Sequence, residues 1–381
     1  MPDPRDSRPS RSHEGGCLGR AFRRGALLAA LVAVAAPASA LAGAKPPSGT
    51  YRQTNLVSDI PGVAQIADSD LVNPWGIAAG PQTPLWVADN GTDKATIYRG
   101  GLSEDMGVLK VPPVVDIPGG EPTGQVFNPT DGFVVSDGMG HSGPAKFLFA
   151  SESGHITGWN MALPPPPPST SAQNGFTSLD GAVYKGLAIA VLNSGPRLYA
   201  TDFHNNKVDV FDSSFAPVTM KGGFTDPNLP AGFAPFGIQQ LRGFIVVTYA
   251  KQDQDAHDDV AGPGNGFVDV YTTDGTLVRR LISGGALNSP WGLVLAPSGF
   301  GPFSHALLVG NFGDGAINAY DPNDGRFLGQ LQSRFGPIQI DGLWGLRFGN
   351  GVTGTKHTLL FSAGIADEAH GLLGEIRSSR K

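Results

Sequence analysis

The chain has 381 residues, 40% of them hydrophobic, with one cysteine and a formal net charge of −6 at pH 7. Without the first 44 residues, which hold six arginines and three acidic residues, the remainder carries 21 basic and 30 acidic residues, a net charge of −9. So acidic a surface repels phosphate backbones, and no basic run follows residue 45, so nucleic acid is not an expected partner.

The first 44 residues have the features of a secretory signal peptide. An arginine-rich stretch at residues 20–24 precedes an apolar run at residues 25–36, and Ala-x-Ala cleavage sites follow. The run is shorter than the roughly 20 residues of a membrane span, although an uncleaved anchor is the alternative. We therefore expect export to the periplasm or the cell exterior, by the Sec or the twin-arginine route, and no membrane span after cleavage. Cys17 lies in this leader, which excludes disulfides, thiol catalysis and cysteine-bound zinc from the mature chain.

After a short linker at residues 45–50, residues 51–381 repeat one pattern six times. A glycine marks each unit at spacings of 51 to 56 residues, and several are preceded by Pro-Trp or Pro-Phe; the glycines are Gly76, Gly132, Gly186, Gly237, Gly292 and Gly345. Short apolar runs rich in Val, Ile, Phe and Tyr follow, bounded by turn residues, and such runs are typical of strands. Four strands in each unit predict an all-β fold, a six-bladed β-propeller with four-stranded antiparallel blades. A pair of β-sandwiches is the alternative, but it does not predict six even units.

The same pattern predicts how the blades pack and how the ring closes. Aromatic residues stand beside the repeat glycines, and we expect them to fill the spaces between neighbouring blades; they are Trp75, Phe236, Trp291 and Trp344. The sixth unit ends without a fourth strand, whereas residues 51–58 have no partner in the first unit. We therefore expect this N-terminal strand to complete the last blade and remove an open sheet edge.

Two insertions interrupt the repeats. Residues 161–175 contain five consecutive prolines, which cannot supply ladder hydrogen bonds, so we expect an exposed polyproline-like loop in the second blade. A stiff spacer is favoured there over a docking site for a proline-reading partner. Residues 251–266 form the most acidic insertion. A solvated loop over the channel is favoured there over a Ca²⁺ site, because the glycine and terminal glutamate of an EF-hand loop are missing.

The stretches "VADNGTDKATIY" and "YATDFHNNKVDVFD" resemble NHL repeats. The leading "NLVSDIPGVAQIADSDLVNPWGIA" and the closing "DGLWGLRFGNG" resemble an uncharacterised family of secreted bacterial proteins, some of which carry a PEP-CTERM sorting tail. This resemblance implies a six-bladed propeller and brings no established activity. The chain ends in "GLLGEIRSSRK" without such a tail, so surface sorting is not expected.

Candidate site residues follow from the propeller geometry, because the loops before the innermost strands and the loops between second and third strands open on one face. We predict that ligand-binding residues lie there: Asn73, Asp89, Asn90, Glu152, Asp202, His204 and Asn311. Four of them offer oxygen ligands for a hard divalent cation such as Ca²⁺: Asp89, Glu152, Asp202 and Asn311. A wider ring adds Asn128, Asp131, Asn205, residues 253–259, Asp314, Asp367, Glu368 and His370. Ordinary turn chemistry is the alternative at each position, because Asn, Asp and Gly are the common residues of hairpin turns.

The reaction, if any, is left open by the sequence. It contains no Gly-x-Ser-x-Gly elbow, His-x-x-x-His pair or phosphate-binding loop. The first hypothesis is an exported scaffold that binds a ligand, glycan or protein at one face of the central channel. The alternative is a metal-dependent lactonase or ester hydrolase at the same face, similar in layout to gluconolactonase-like propellers, in which the metal activates water. Acidic side chains from three blades near the axis would favour the hydrolase, and an aromatic or neutral lining would favour the scaffold.

Overall fold

The computed structural model describes residues 50–103 and 105–379, and nearly all regular structure there is β-strand. The predicted signal peptide, residues 1–44, lies outside the described residues and stays a prediction. In the described part of the chain, no helix is both long and apolar enough to cross a bilayer.

The strands of the first half of the chain form three blades, preceded by one short segment. That segment contains β1 (Tyr51–Ser58) and β2 (Ile66–Ala67). Blade one contains β3 (Pro74–Ala78), β4 (Leu85–Asp89), β5 (Lys94–Gly100), β6 (Val108–Lys110) and β7 (Val115–Asp116), with a 3-10 turn at Asn90–Thr92. Blade two begins with β8 (Pro122–Phe127), which is followed by a separate hairpin of β9 (Val134–Ser136) and β10 (Ser142–Pro144). Its other three strands are β11 (Phe147–Ser151), β12 (His155–Trp159) and β13 (Gln173–Thr177). Blade three contains β14 (Tyr184–Leu192), β15 (Gly195–Asp202) and β16 (Lys207–Phe211).

The second half supplies the remaining three blades. Blade four contains β17 (Phe233–Leu241), β18 (Phe244–Lys251), β19 (Phe267–Tyr271) and β20 (Leu277–Ser283). Blade five contains β21 (Pro290–Leu295), β22 (Leu307–Asn311), β23 (Ile317–Tyr320) and β24 (Phe327–Gln330), with a 3-10 turn at Gly301–Phe303. A small hairpin follows, formed by β25 (Gln332–Ser333) and β26 (Gly336–Pro337). Blade six contains β27 (Leu343–Phe348), β28 (Leu359–Ile365) and β29 (His370–Ser378).

The sheets confirm the predicted six-bladed propeller. Sequential strands pair antiparallel from the innermost strand outward, with the order β17-β18-β19-β20 in blade four and β21-β22-β23-β24 in blade five. Blade three is the exception, with three strands. Its outer edge is an isolated bridge between Phe211 and Pro217, because a proline has no N–H with which to extend a ladder.

The ring closes through the N-terminal strand, as predicted. β1 pairs antiparallel with β29, from Tyr51 opposite Ser378 to Ser58 opposite Leu372, and so becomes the fourth strand of blade six. The buried hydroxyl of Tyr51 also donates to the carbonyl oxygen of Phe300 at 3.0 Å, which ties the closing strand to blade five. Both ends of the described chain are therefore held in one sheet, and the outer edge of β29 is covered.

Glycines of the six innermost strands allow the blades to approach closely around the axis. A Cβ atom on Gly237 would lie 2.1 Å from the carbonyl oxygen of Trp291, and one on Gly76 would lie 2.4 Å from that of Thr123. The central cavity beside these glycines is about 40 Å³, room for about three water molecules, since one water needs roughly 10–15 Å³ on the same measure. The channel is therefore nearly filled at this level.

One repeat glycine was assigned wrongly from the sequence. The inner strand of blade two is β8, so its repeat glycine is Gly124 in "PTGQVF", and Gly132 lies in the following loop. The steps on either side of Gly124 are 48 and 62 residues, because the hairpin of β9 and β10 and the proline-rich segment lengthen this blade. Asn128 and Asp131 consequently follow the far end of β8, away from the end at which the candidate ring was expected.

The aromatic residues beside the repeat glycines lie on the axis and not between the blades as expected. The rings of Trp75 and Trp344 stack at 3.5 Å between centroids, and Trp291 meets both edge-on at 6.1 and 5.7 Å. Phe312 stacks on Trp344 at 4.0 Å, and Phe236 lies 5.8 Å from it. The spaces between blades are filled instead by side chains from the faces of the strands, in six further apolar clusters.

The proline-rich segment forms a closed loop between β12 and β13. The N–H of Ser169 donates to the carbonyl oxygen of Met161 at 2.8 Å, and the indole of Trp159 donates to the carbonyl oxygen of Ser169 at 2.9 Å. Most of the prolines inside this loop are exposed, whereas Leu163 at its start is buried in the core between blades two and three.

Candidate ligand-binding site at the channel mouth

The site lies at the end of the channel where the inner strands begin, which we call the mouth. The loop before β3 and the turn after β4 meet there, since the N–H of Asn90 donates to the carbonyl oxygen of Asn73 at 3.1 Å. The corresponding turns of blades two, four and six bring Glu152, Asp258 and Glu368 to the same mouth. These contacts show that the loops before the innermost strands and the loops between the second and third strands open on one face, as predicted.

A chain of side-chain hydrogen bonds crosses the mouth from blade six to blade two. The Nδ2 of Asn73 donates to Oε1 of Glu368 at 3.0 Å and to Oδ1 of Asn90 at 3.2 Å. The Nδ2 of Asn90 donates to Oε2 of Glu152 at 2.9 Å. The indole of Trp344 donates to Oδ1 of Asn73 at 3.2 Å, which fixes the orientation of that amide. The three predicted residues Asn73, Asn90 and Glu152 thus form one network.

A buried lysine ends this chain. The ammonium of Lys185 donates to Oε1 of Glu152 and, at 3.1 Å, to Oδ1 of Asp258, while its side chain is 2% exposed. The ammonium also lies over two aromatic rings, 5.3 Å from the centroid of Trp75 and 6.0 Å from that of Phe203. Burial acts to lower the pKa of Lys185, but the negative charges of Glu152 and Asp258 outweigh it, so the pKa is raised and the lysine stays charged.

Lys185 was not among the predicted site residues, although the sequence contained a signal for it. It occupies the position before the repeat glycine of blade three, in "YKG". The other five blades place uncharged residues there: Trp75, Thr123, Phe236, Trp291 and Trp344. Lys185 can therefore be recognised as a candidate site residue, because it is the charged residue at a repeat position that is otherwise aromatic or neutral.

Two further carboxyl groups of the mouth are held away from their ordinary titration range. Burial raises the pKa of Glu368 to about 7; the hydrogen bond from Asn73 acts in the opposite direction, and the nearby charge of Glu152 adds to the rise. Burial likewise raises the pKa of Asp259 to about 6. Near neutral pH the mouth therefore offers carboxyl groups that exchange between acid and carboxylate.

Three other predicted residues, Asp89, Asp202 and Asn311, lie outside this network because strands alternate their side chains between two faces. Each of them is fully buried at the end of the second strand of its blade. The residue after it faces the axis, as Phe203 does after Asp202 and Phe312 does after Asn311. Sequence reasoning placed the right turns at the mouth, but these three residues are one position out of register.

The local contacts of these residues belong to turns and blade interiors. Asp202 accepts the backbone N–H of Asn205 at 3.1 Å, and Asn311 donates to the carboxylate of Asp314 at 3.0 Å. Asp89 shares the face of β4 that packs against blade six, and burial raises its pKa well above the ordinary value. The predicted residue His204 lies exposed in the turn after β15. The side chains of Asp89, Asp202, His204 and Asn311 do not meet in one place, so a ligand-binding role for these four residues stays a prediction.

Potential metal ligands also gather at the mouth, although in a different set from the one predicted. Within the described ranges, the group of three whose ligand atoms all lie within 4.8 Å of one another is Glu152, His257 and Asp258. Of the four predicted ligands, only Glu152 belongs to it. The ammonium of Lys185 already contacts both carboxylates of this group, so a metal ion would compete with an internal cation.

Comparison with known proteins places the chain among viral relatives. No family model matches it. It is 35% identical over 341 residues to "Uncharacterized protein R648" of Acanthamoeba polyphaga mimivirus, which covers 86% of this chain and 80% of the relative. It is 34% identical over 343 residues to "Uncharacterized protein L690" of the same virus, with 86% of each chain covered. The chain belongs to the family of these two proteins. Because both are viral, these members of the family contradict the bacterial origin that the sequence resemblance implied.

Solved structures similar to this family member share its architecture at low sequence identity. A structural genomics protein of unknown function from Bacteroides thetaiotaomicron matches 87% of this chain and 76% of its own, with a TM-score of 0.52 and 11% identity. A glucose dehydrogenase matches 86% of this chain and 99% of its own, with a TM-score of 0.51 and 12% identity. Identities this low show the β-propeller fold and no shared activity.

Proposed function

We propose that the protein is a binding scaffold, exported by its N-terminal leader, whose channel mouth takes a polar ligand. The observation that carries this proposal is the buried ion pair of Lys185 with Glu152 at the axis. Burying charges costs free energy, and an ion pair inside a protein stabilises it weakly or not at all compared with apolar packing. Five blades fill the equivalent position with Trp, Phe or Thr, so the ring does not need a charge there.

The surroundings of the ion pair support recognition of a ligand rather than a purely structural role. Binding sites combine aromatic surface with a few fixed polar groups. Trp291 and Phe312 are only partly buried beside the hydrogen-bonded chain, and the amides of that chain are fixed by their neighbours. The channel beneath is nearly filled, which confines a ligand to the mouth.

Thermal melts against a library of polar compounds test this proposal. A compound that binds the native state raises the melting temperature by mass action, equivalent to about 2.7 kcal/mol at one hundred times its dissociation constant. We expect the shift in melting temperature to shrink in Glu152→Gln and to persist in Asp131→Asn. The second variant is a matched control, because it also neutralises one carboxylate, but at a side chain that is 99% exposed and lies away from the mouth. A library without any stabilising compound, or equal shifts in the two variants, would refute a binding role for the mouth.

A metal-dependent lactonase or ester hydrolase is the second candidate. It is favoured by the acidic side chains that reach the mouth from blades two, four and six, Glu152, Asp258 and Glu368, and by the proximity of His257. A divalent cation such as Ca²⁺ bound there would polarise a carbonyl group and activate water. It ranks second because two of these carboxylates already contact the ammonium of Lys185, which occupies the space between them and offsets one of their negative charges.

Metal titration separates the two candidates. If the hydrolase is correct, Ca²⁺, Mg²⁺ or Zn²⁺ should raise the melting temperature after EDTA treatment, and lactone or ester hydrolysis should depend on the same ion. His257→Gln should then weaken both effects, whereas Asp131→Asn should not. Absence of any metal-dependent shift would remove the hydrolase and leave the scaffold.

A further inference from the structure

From the hydrogen-bonding groups of the mouth, we infer that its ligand is a neutral, hydroxyl-rich compound of the sugar class. This inference rests on the proposed binding function. A sugar hydroxyl both donates and accepts a hydrogen bond, and a sugar ring also presents an apolar C–H face. The mouth contains partners for all three properties.

Acceptors are supplied by carboxyl groups with unused oxygens. Oε1 of Glu368 accepts from Asn73, and its Oε2 accepts no hydrogen bond from the described residues. Asp258 adds a carboxylate that is 67% exposed. Ligand hydroxyls can donate to each of these oxygens.

A donor is supplied independently by the aromatic floor of the mouth. The indole N–H of Trp75 has no hydrogen-bond partner among the described residues, although the side chain is 97% buried, its relative exposure being 3%. It belongs to the cluster at the axis, directly against the ammonium of Lys185. The nitrogen is enclosed, so a ligand acceptor reaches it only when the side chains around it open on binding, and that acceptor then supplies the missing hydrogen bond. A metal ion or an organic cation offers no acceptor to this group, whereas a hydroxyl oxygen does.

The charge balance argues against an anionic ligand. The ammonium of Lys185 offsets only one of the carboxylates around it, so an anion would face the remaining negative charge of Glu152, Asp258 and Glu368. A neutral hydroxyl-rich ligand avoids this repulsion and uses the carboxylates as acceptors.

The partly buried rings of Trp291 and Phe312 complete the match. Their orientations are fixed, because the indole of Trp291 donates to the carbonyl oxygen of Lys185 at 3.0 Å and Phe312 stacks on Trp344. Rings held in this way offer apolar surface to the C–H face of a sugar at low entropic cost. Since the cavity beneath is only about 40 Å³, the sugar stays at the mouth, where either a free monosaccharide or the end of a glycan can be accommodated.

Isothermal titration calorimetry on the full exported protein tests the inference. The probes are free hexoses and pentoses, their methyl glycosides, and short oligosaccharides, with alkylamines and CaCl₂ as comparison ligands. We expect sugars to bind, with oligosaccharides exceeding free sugars if the natural ligand is a glycan end. Glu368→Gln should weaken sugar binding about tenfold through loss of a charge-assisted hydrogen bond. Trp75→Phe keeps the aromatic ring but removes the donor, and should weaken it to a similar degree, while Asp131→Asn should match the wild type.

The possible outcomes separate this inference from the proposed function. Sugars that bind the wild type and both mouth variants equally would overturn the inference, because the named groups would not hold them. Amines or Ca²⁺ that bind at the mouth while sugars do not would overturn the sugar class and leave the scaffold or hydrolase standing. If no probe and no library compound binds, both the inference and the binding function are wrong. Melting curves of the two variants identify any loss of binding that reflects unfolding.

Discussion

Replacement of Lys185 by methionine tests whether the buried charge at the mouth is held by its partners. Methionine keeps the chain length and removes the ammonium, which leaves Glu152 as a carboxylate that is 11% exposed with one remaining hydrogen bond from Asn90. Loss of one partner from a buried ion pair costs about 3–5 kcal/mol. The contact with Asp258, which is 67% exposed, adds at most about 1 kcal/mol. We expect Lys185→Met to lower the free energy of unfolding by about 3 kcal/mol.

The double variant Lys185→Met/Glu152→Gln sharpens this test. A neutral pair at the same place removes the uncompensated charge, so the double variant should lose about 1 kcal/mol or less, well below the sum of the two single losses. Urea unfolding followed by tryptophan fluorescence reports on the axial cluster, which contains Trp75, Trp291 and Trp344. Asp131→Asn is the surface control and should stay within about 0.5 kcal/mol of the wild type. A Lys185→Met protein that unfolds at the wild-type midpoint, or a double variant as unstable as the summed singles, would refute the reasoning.

Three further predictions concern the mouth, the closure and the axis. Glu368 has a folded pKa of about 7 against an ordinary value of 4.5, so its ionisation destabilises the fold increasingly as pH rises between these values. Glu368→Gln should therefore raise the free energy of unfolding by up to about 3 kcal/mol at pH 8 and leave it unchanged at pH 4, as measured by urea unfolding at both pH values. Tyr51→Phe removes the donor to the carbonyl of Phe300 and should cost about 1–3 kcal/mol in the same assay, and an unchanged midpoint would mean that the hydroxyl does not secure the closure. Gly237→Ala forces a Cβ against the carbonyl oxygen of Trp291 and should cost about 3 kcal/mol or more, so a stable, correctly folded alanine variant would contradict the close approach.

The fold could be predicted from the sequence because its determinants are local and repeated. Short apolar runs between turn residues define strands, and six repeats define the number of blades. The N-terminal strand was assigned to blade six because it was the unpaired strand and that blade lacked one. The repeat glycine of blade two was missed because a threonine, Thr123, precedes Gly124 in place of an aromatic residue, while Gly132 matched the spacing better.

The site could be predicted only in part, because its residues were chosen by type and not by the face of the strand they occupy. Asn90 and Asp89 are adjacent and equally polar, yet the alternation of the strand directs one to the axis and the other into the blade. Register at the end of a strand depends on where the turn begins, and a single sequence does not define that to one residue. Lys185 is not predicted from its local sequence, because a single lysine becomes unusual only when it is compared with the uncharged residues at the same position in the other blades.

In a repeat fold, the repeated residues build the architecture, so residues that depart from the repeat indicate where other demands act. The departures in this ring are not scattered. Lys185 replaces an aromatic or neutral residue in blade three, and Glu152 stands where blades three and five place Phe203 and Phe312. Drift without a purpose would put such changes at unrelated places, and each buried charge without a partner would cost several kcal/mol. Here the two departures meet in one ion pair, linked through amides to Glu368 on the opposite side of the axis, and that coincidence is the strongest reason to regard the mouth as a site and not only as the end of a channel.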